Sequence, residues 1–222
     1  MIKQYTTFKL FDLNYTLAKP LLEKYPFPWQ VLTELNHFIL QQIENLDKSQ
    51  YTQLAKDVWV HHTANISPTA YFTDPCIIQE GAEIRHNAFI RGSVLIGKET
   101  VVGNSTELKN CILFDKAQVP HFNYVGDSIL GYSAHMGAGA VTSNLKSDKS
   151  LVQISLENEK INTNLQKLGA IVGDFAEVGC NSVLCPGSIL GKYSQIYPTS
   201  CVRGVVPEKH IFKAKGNIVL RK

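Results

Sequence analysis

From Val60 onward every sixth residue is large and apolar: Val60, Ile66, Phe72, Ile78, Ile84, Ile90, Ile96, Val102 and Leu108. The position four further on holds mostly small residues: Ala64, Ala70, Cys76, Ala82, Ala88, Val94, Thr100, Thr106 and Ile112. A period of six suits neither a helix, which repeats at about 3.6 residues, nor a plain amphipathic strand, which alternates at about 2. It suits a short strand, a bend and another short strand, repeated. The large residue faces inward, and the small one sits near the bend where little room is left. Gly97, Gly103, Gly173, Gly179 and Gly191 follow inward residues, where a tight backbone path favours a side chain without Cβ. Three such units make one triangular coil of 18 residues. Each coil pairs with those above and below, so the pattern predicts an all-β, three-sided parallel solenoid over 58–207.

The pattern breaks twice. A second run, Val172, Val178, Leu184, Leu190, Ile196 and Val202, is out of phase with the first, while Leu130 and Met136 already match it. The register is therefore expected to shift between Phe114 and Leu130. The stretch 144–169 lacks the repeat and reads as an inserted loop; interruptions of this kind tend to collect on a binding face. Residues 1–57 differ in kind. Trp29, Leu32, Leu35, Ile39 and Ile43 follow helical spacing after Pro26 and Pro28, which predicts a helical N-terminal cap over the first coil's open edges.

Composition adds limits. The chain has 222 residues, 44% hydrophobic, enough to bury a core. Only 18% are charged, below the roughly 25% of ordinary soluble domains, which suggests surface hidden in an assembly. A net charge of +3 is too mild to argue for nucleic acid. The cations are uneven: Arg203, Lys209, Lys213, Lys215, Arg221 and Lys222 face the single anion Glu208 in the last stretch, so 208–222 reads as a basic tail, either solvated or meeting a phosphate-bearing ligand. Five cysteines (Cys76, Cys111, Cys180, Cys185, Cys201) without a C-x-x-C read as small buried thiols. No signal-peptide core and no membrane-length apolar run is present, so a cytoplasmic protein with no membrane partner is expected.

The coil geometry nominates chemistry. Arg91 and Lys109 are 18 residues apart, hence stacked about 4.8 Å apart on neighbouring coils. Two stacked cations repel unless each splays away, pairs with a neighbour such as Glu107, or shares a bridging anion such as a phosphate. Within the region of lost register lies Pro120-His121-Phe122-Asn123-Tyr124-Val125-Gly126-Asp127. Of the seven histidines, His121 is the best placed to move a proton, because it sits at a fold irregularity beside polar Asn123 and Tyr124.

Three segments carry a family resemblance: V-G-N-S-T-E-L-K (Val102–Lys109), H-F-N-Y-V-G-D (His121–Asp127) and M-G-A-G-A-V-T-S-N (Met136–Asn144). They resemble the acetyltransferase half of bifunctional N-acetylglucosamine-1-phosphate uridyltransferase/glucosamine-1-phosphate acetyltransferases, of the hexapeptide-repeat acyltransferase superfamily. The resemblance implies a left-handed parallel β-helix, a homotrimer, and transfer from acetyl-CoA onto the amine of a sugar phosphate. It implies His121 as catalytic base, Arg91, Lys109 and Tyr124 as acceptor contacts, and Gly137, Ala138, Gly139, Asn144 and Cys180 as coenzyme contacts. Where the family has asparagine before its Ile-Gly-Ala-Gly, this chain has His135, taken as a further acceptor contact; the tyrosine after the later asparagine is Leu145. Lys146 and Lys149 lie near the place of a family loop lysine. No nucleotide loop of the uridyltransferase half is found. No metal is required for the transfer.

Two rivals remain. A trimeric zinc carbonic-anhydrase-like protein would need three converging histidines, two of them spaced H-x-x-x-x-H, and no such pair occurs. A non-catalytic trimeric scaffold or regulatory subunit of sugar-nucleotide metabolism is the alternative function.

Overall fold

A computed structural model of the protein describes residues 2–156 and 160–221, with side chains from residue 4. Its body is a parallel β-helix of short stacked strands. Successive coils stack with parallel register on three sides. On side one Val58, Cys76, Val94 and Cys111 lie one above another. On side two Asn65, Glu83, Val101, Gln118 and His135 do so. On side three the column is Tyr71, Phe89, Glu107, Tyr124 and Val141. The expected inward residues, from Ile78 to Val202, fill the prism with side chains almost wholly removed from water.

The corners explain the phase change. Residues before Leu108 pair at steps of 18, as Leu108 does with Ile90. Cys111 pairs with Val94 and Ser128 with Cys111, at steps of 17. One residue is therefore lost at each of two corners, first near Asn110 and again near Asp127. Only the second falls inside the expected window of 114–130. At each, one left-handed residue (Asn110 φ 46°, Asp127 φ 48°) replaces the two left-handed residues Gly92 and Ser93 of the coil below. Strands Glu107–Leu113 and Tyr124–Leu130 then run straight from side three into side one. After the first loss Leu113, not Phe114, faces the interior, and Ile112 faces out instead of in.

Apart from its last strand, the N-terminal segment does not sit across the end of the helix as expected. It lies along side one. Ile77, Leu95, Ile112, Ile129, Ile171 and Ile189, the outward centres of successive side-one strands, pack against Leu10, Trp29, Leu32, Leu35 and Ile39 in a second core. A strand buried on both faces reads as a continuous apolar run, and Val94-Leu95-Ile96 and Cys111-Ile112-Leu113 do so. The helix expected from Trp29 divides into a 3₁₀ turn, Pro28–Thr33, and an α-helix, Leu35–Glu44. The first coil's edge on side one is covered by the strand Tyr51–Ala55, antiparallel to Val58–His61. Buried Asp174 fastens the segment: its carboxylate accepts from Asp12 N (2.7 Å) and Tyr132 N (2.9 Å) and pairs with Lys192 (2.8 Å).

The loop at 144–169, apart from 157–159, which lie outside the described residues, is ordered by the same surface. It closes at a Leu145–Lys167 bridge, forms a hairpin of Gln153–Ser155 with Lys160–Asn162, and buries Val152, Ile154 and Leu168 in the second core. The basic stretch 208–222 is likewise no free tail, Lys222 being outside the described residues. His210–Ala214 adds to side two above Gln195–Ile196, and Asn217–Leu220 folds back on it. Three cysteines are buried as expected, but Cys180 and Cys201 are exposed. Among the described residues no helix is long and apolar enough to cross a membrane.

Candidate functional site

The corner between sides two and three carries His121. Strand Gln118–His121 brings it there, directly above Asn104. The next residue, Phe122, is left-handed (φ 51°) and 61% exposed. Asn123 then turns inward and is 2% exposed. Its Oδ1 accepts from His121 N (3.0 Å), and its Nδ2 donates to Gly137 O (2.8 Å) and Ala140 O (3.0 Å). This buried amide ties the His121 backbone to the corner above. Gly139 N donates to His121 O (3.0 Å), and Asn181 N donates to Ala138 O (2.8 Å). His121, Gly137–Ala138–Gly139 and Cys180 therefore occupy one column on three successive coils. A Cβ on Gly137 would lie 2.7 Å from Cys180 N, and Gly139 has φ +71°, so both glycines are required by the backbone. The His121 side chain faces solvent, and among the described residues its ring has no hydrogen-bond partner.

The far end of side three, where the two residues are lost, carries the polar cluster. Asp127, 4% exposed, accepts from Asn110 Nδ2 (2.9 Å) and from Asn144 Nδ2, with Lys109 Nζ at 3.5 Å from both oxygens. Asn144 Nδ2 also donates to the Tyr124 hydroxyl (3.1 Å). Arg91 pairs with Glu107 Oε1 at 2.6 Å. That bond holds the guanidinium above its ordinary range. Burial pushes the Tyr124 phenol up, with Asp127 and Glu107 adding to it and the Asn144 donation opposing.

Of the residues expected to form a site, Arg91, Lys109, Tyr124 and Asn144 thus share side three and its far corner. The stacked cations do not face each other bare: each has its own carboxylate. His121 stands at the opposite end of the same side, six residues before Asp127 in the chain, with Tyr124 between. His135 does not join them. It lies on side two, where its Nδ1 is 3.0 Å from Glu177 Oε2 in the coil above. Residue type and the shortened period were the available signals for Asn110 and Asp127, since Asn and Asp are the non-glycine residues that most readily enter the left-handed region. Asn123 gave only its place in the motif.

At the top of side two the basic hairpin meets aromatic rings. Lys213 Nζ lies 5.8 Å from the Tyr197 ring centre and Lys209 Nζ 6.0 Å from that of Tyr193. Tyr197 belongs to the coil directly above Cys180.

Comparison with known proteins agrees with the motifs. A family model described as the GMPPB C-terminal domain matches residues 72–165. "Bifunctional protein GlmU" of Methanococcus maripaludis is 31% identical over 214 residues, which cover 88% of this chain and 48% of that protein. The "bifunctional sugar-1-phosphate nucleotidylyltransferase/acetyltransferase" of Sulfurisphaera tokodaii is 28% identical over 190 residues, 84% of this chain and 47% of that one. The chain is similar to the bifunctional GlmU proteins. It spans about half the length of these curated relatives. Among solved structures, the polySia-specific acetyltransferase NeuO overlaps 73% of this chain and 75% of its own at a TM-score of 0.47 and 16% identity.

Proposed function

We propose that the chain transfers an acetyl group from acetyl-CoA to the amine of an amino-sugar phosphate of the glucosamine-1-phosphate type. The observation that carries this is the arrangement on side three. A solvent-facing imidazole stands at one end under a glycine-lined column, and an arginine and a lysine stand at the other with Tyr124 between them.

In this reading Arg91 and Lys109 hold the acceptor's phosphate and so fix the position of its amine. Arg91 must release Glu107 to do so. That pair is solvent-exposed and worth roughly 0–1 kcal/mol, less than a charge-assisted fork to phosphate supplies. Tyr124, steered by Asn144, orients the sugar. The amine nitrogen attacks the thioester carbonyl, and His121 takes the nitrogen's proton as the N–C bond forms. A backbone N–H of the Gly137–Gly139 turn meets the developing oxyanion. The C–S bond then breaks and the coenzyme leaves as a thiol with a proton returned to sulfur. The coenzyme lies along the column of Gly137–Gly139 and Cys180, so its phosphates reach Tyr197, Lys213 and the basic hairpin. The working unit is a homotrimer in the cytoplasm.

The test is thiol release from acetyl-CoA by the purified protein with glucosamine 1-phosphate and with glucosamine. The reading expects turnover with the phosphate ester and at least tenfold less kcat/KM without it. No thiol release with any amino-sugar phosphate would contradict it. One observation favours the scaffold alternative: both cations already have carboxylate partners. That alternative expects no heat of acetyl-CoA binding by calorimetry.

A further inference from the structure

The five cysteines are not equivalent. Cys76 and Cys111 are wholly buried, and burial pushes both thiols far up, so they are inert. Cys180 stands exposed in the His121 column. Cys185 and Cys201 meet each other: their sulfurs are 3.5 Å apart, on adjacent coils. Val183 is the residue paired with Cys201. After Leu184 the chain turns through Pro186 and left-handed Gly187 (φ +79°), and at the start of that turn the Cys185 sulfur comes within reach of Cys201. Cys201 is exposed while Cys185 is 6% exposed.

We propose that Cys185 and Cys201 are a disulfide-forming pair, oxidised by a two-electron oxidant of the peroxide class. Closing the gap to the bond length of about 2.05 Å takes roughly 1.5 Å of sulfur movement, and Cys201 is at the surface and free to supply it. The exposed thiol reacts first. Cys201 sulfur attacks one oxygen of hydrogen peroxide and becomes a sulfenic acid as the O–O bond breaks, and the other oxygen leaves as water with the proton the thiol gives up. Cys185 sulfur then attacks the Cys201 sulfur. The S–S bond forms, the S–O bond breaks, and the hydroxide leaves with the Cys185 proton as a second water. Two thiols have given two electrons to one peroxide. Burial and the Cys201 contact hold the Cys185 thiol up, at about 11, with Arg203 opposing. Buried where Cys201 is exposed, Cys185 is the thiol that resolves the sulfenic acid rather than the one that meets the oxidant. The bond would cross-link two coils whose pairing here is only the two-residue strands Val183–Leu184 and Cys201–Val202.

The experiment treats the native full chain with hydrogen peroxide and maps its peptides without reduction. The expected result is loss of two thiols and a link that fragmentation places between Cys185 and Cys201, reversed by dithiothreitol. The Cys185→Ser variant should instead leave Cys201 reactive toward a sulfenic-acid-trapping 1,3-diketone. Any of three wild-type results overturns the proposal: Cys201 oxidised beyond sulfenic acid with Cys185 still a thiol, a link to Cys180 or between chains, or both thiols unchanged while the peroxide oxidises exposed Cys180. None of these readouts depends on acetyl transfer.

Discussion

Asn110, Asp127 and Asn123 show how single residues shape the candidate site. The first two each turn a corner that other coils turn with two residues, and so come into hydrogen-bond contact one above the other. Asn144 and Lys109 gather on the same carboxylate. Removing the cations tests the phosphate role directly. Arg91→Ala and Lys109→Ala should each raise the acceptor KM about tenfold or more, the size of one lost charge-assisted bond, with kcat changed far less. Initial-rate kinetics at varied acceptor concentration would show it, and a fall in kcat at unchanged KM would count against phosphate binding. Asn123 is a different case because its side-chain amide is buried and bonds only to backbone. Asn123→Ala leaves Gly137 O, Ala140 O and His121 N without its bonds, and should cost about 2 kcal/mol or more of stability, read from urea unfolding.

At the scale of elements, two faces of each side-one strand are spoken for. One fills the prism and the other carries the N-terminal segment and the 144–169 loop. Phe114 is fully buried between these layers, its ring 4.9 Å from that of Phe11. Phe114→Ala should lower unfolding free energy by about 3–5 kcal/mol, and a loss under 1 kcal/mol would mean that the segment is only loosely held. Stacking also fixes certain glycines. A Cβ on Gly103 would fall 1.5 Å from Pro120 O in the coil above. Gly103→Ala should therefore prevent the coil carrying His121 from closing, seen as loss of soluble folded protein by circular dichroism.

For the molecule as a whole, the six-residue period made the solenoid, its inward residues and the inserted loop legible, because a stacked prism needs an apolar residue at each side's centre. The one-residue corners were legible only as a net phase change, since losing one residue twice leaves the same arithmetic wherever the losses fall. The side-one ladder recurs once per coil and is hidden inside the stronger period. The pairing of Arg91 with Glu107 was one of the outcomes the sequence left open, whereas that of His135 with Glu177 was beyond sequence reading, because the inserted loop hides which residue of the next coil lies above His135. The modest charge content remains the argument for assembly. Light scattering should return about 74 kDa, three times the 24.7 kDa chain, and a monomer mass would remove the trimer from the account.

The account turns on His121 as the base at its corner. The most direct measurement is kcat for acetyl transfer to glucosamine 1-phosphate by the His121→Ala variant beside the unaltered protein, with thermal unfolding followed on both. The account predicts a fall of about 10²-fold or more at an unchanged melting temperature, because the exposed ring has no hydrogen-bond partner among the described residues. A variant that turns over within about twofold of the parent protein would contradict it.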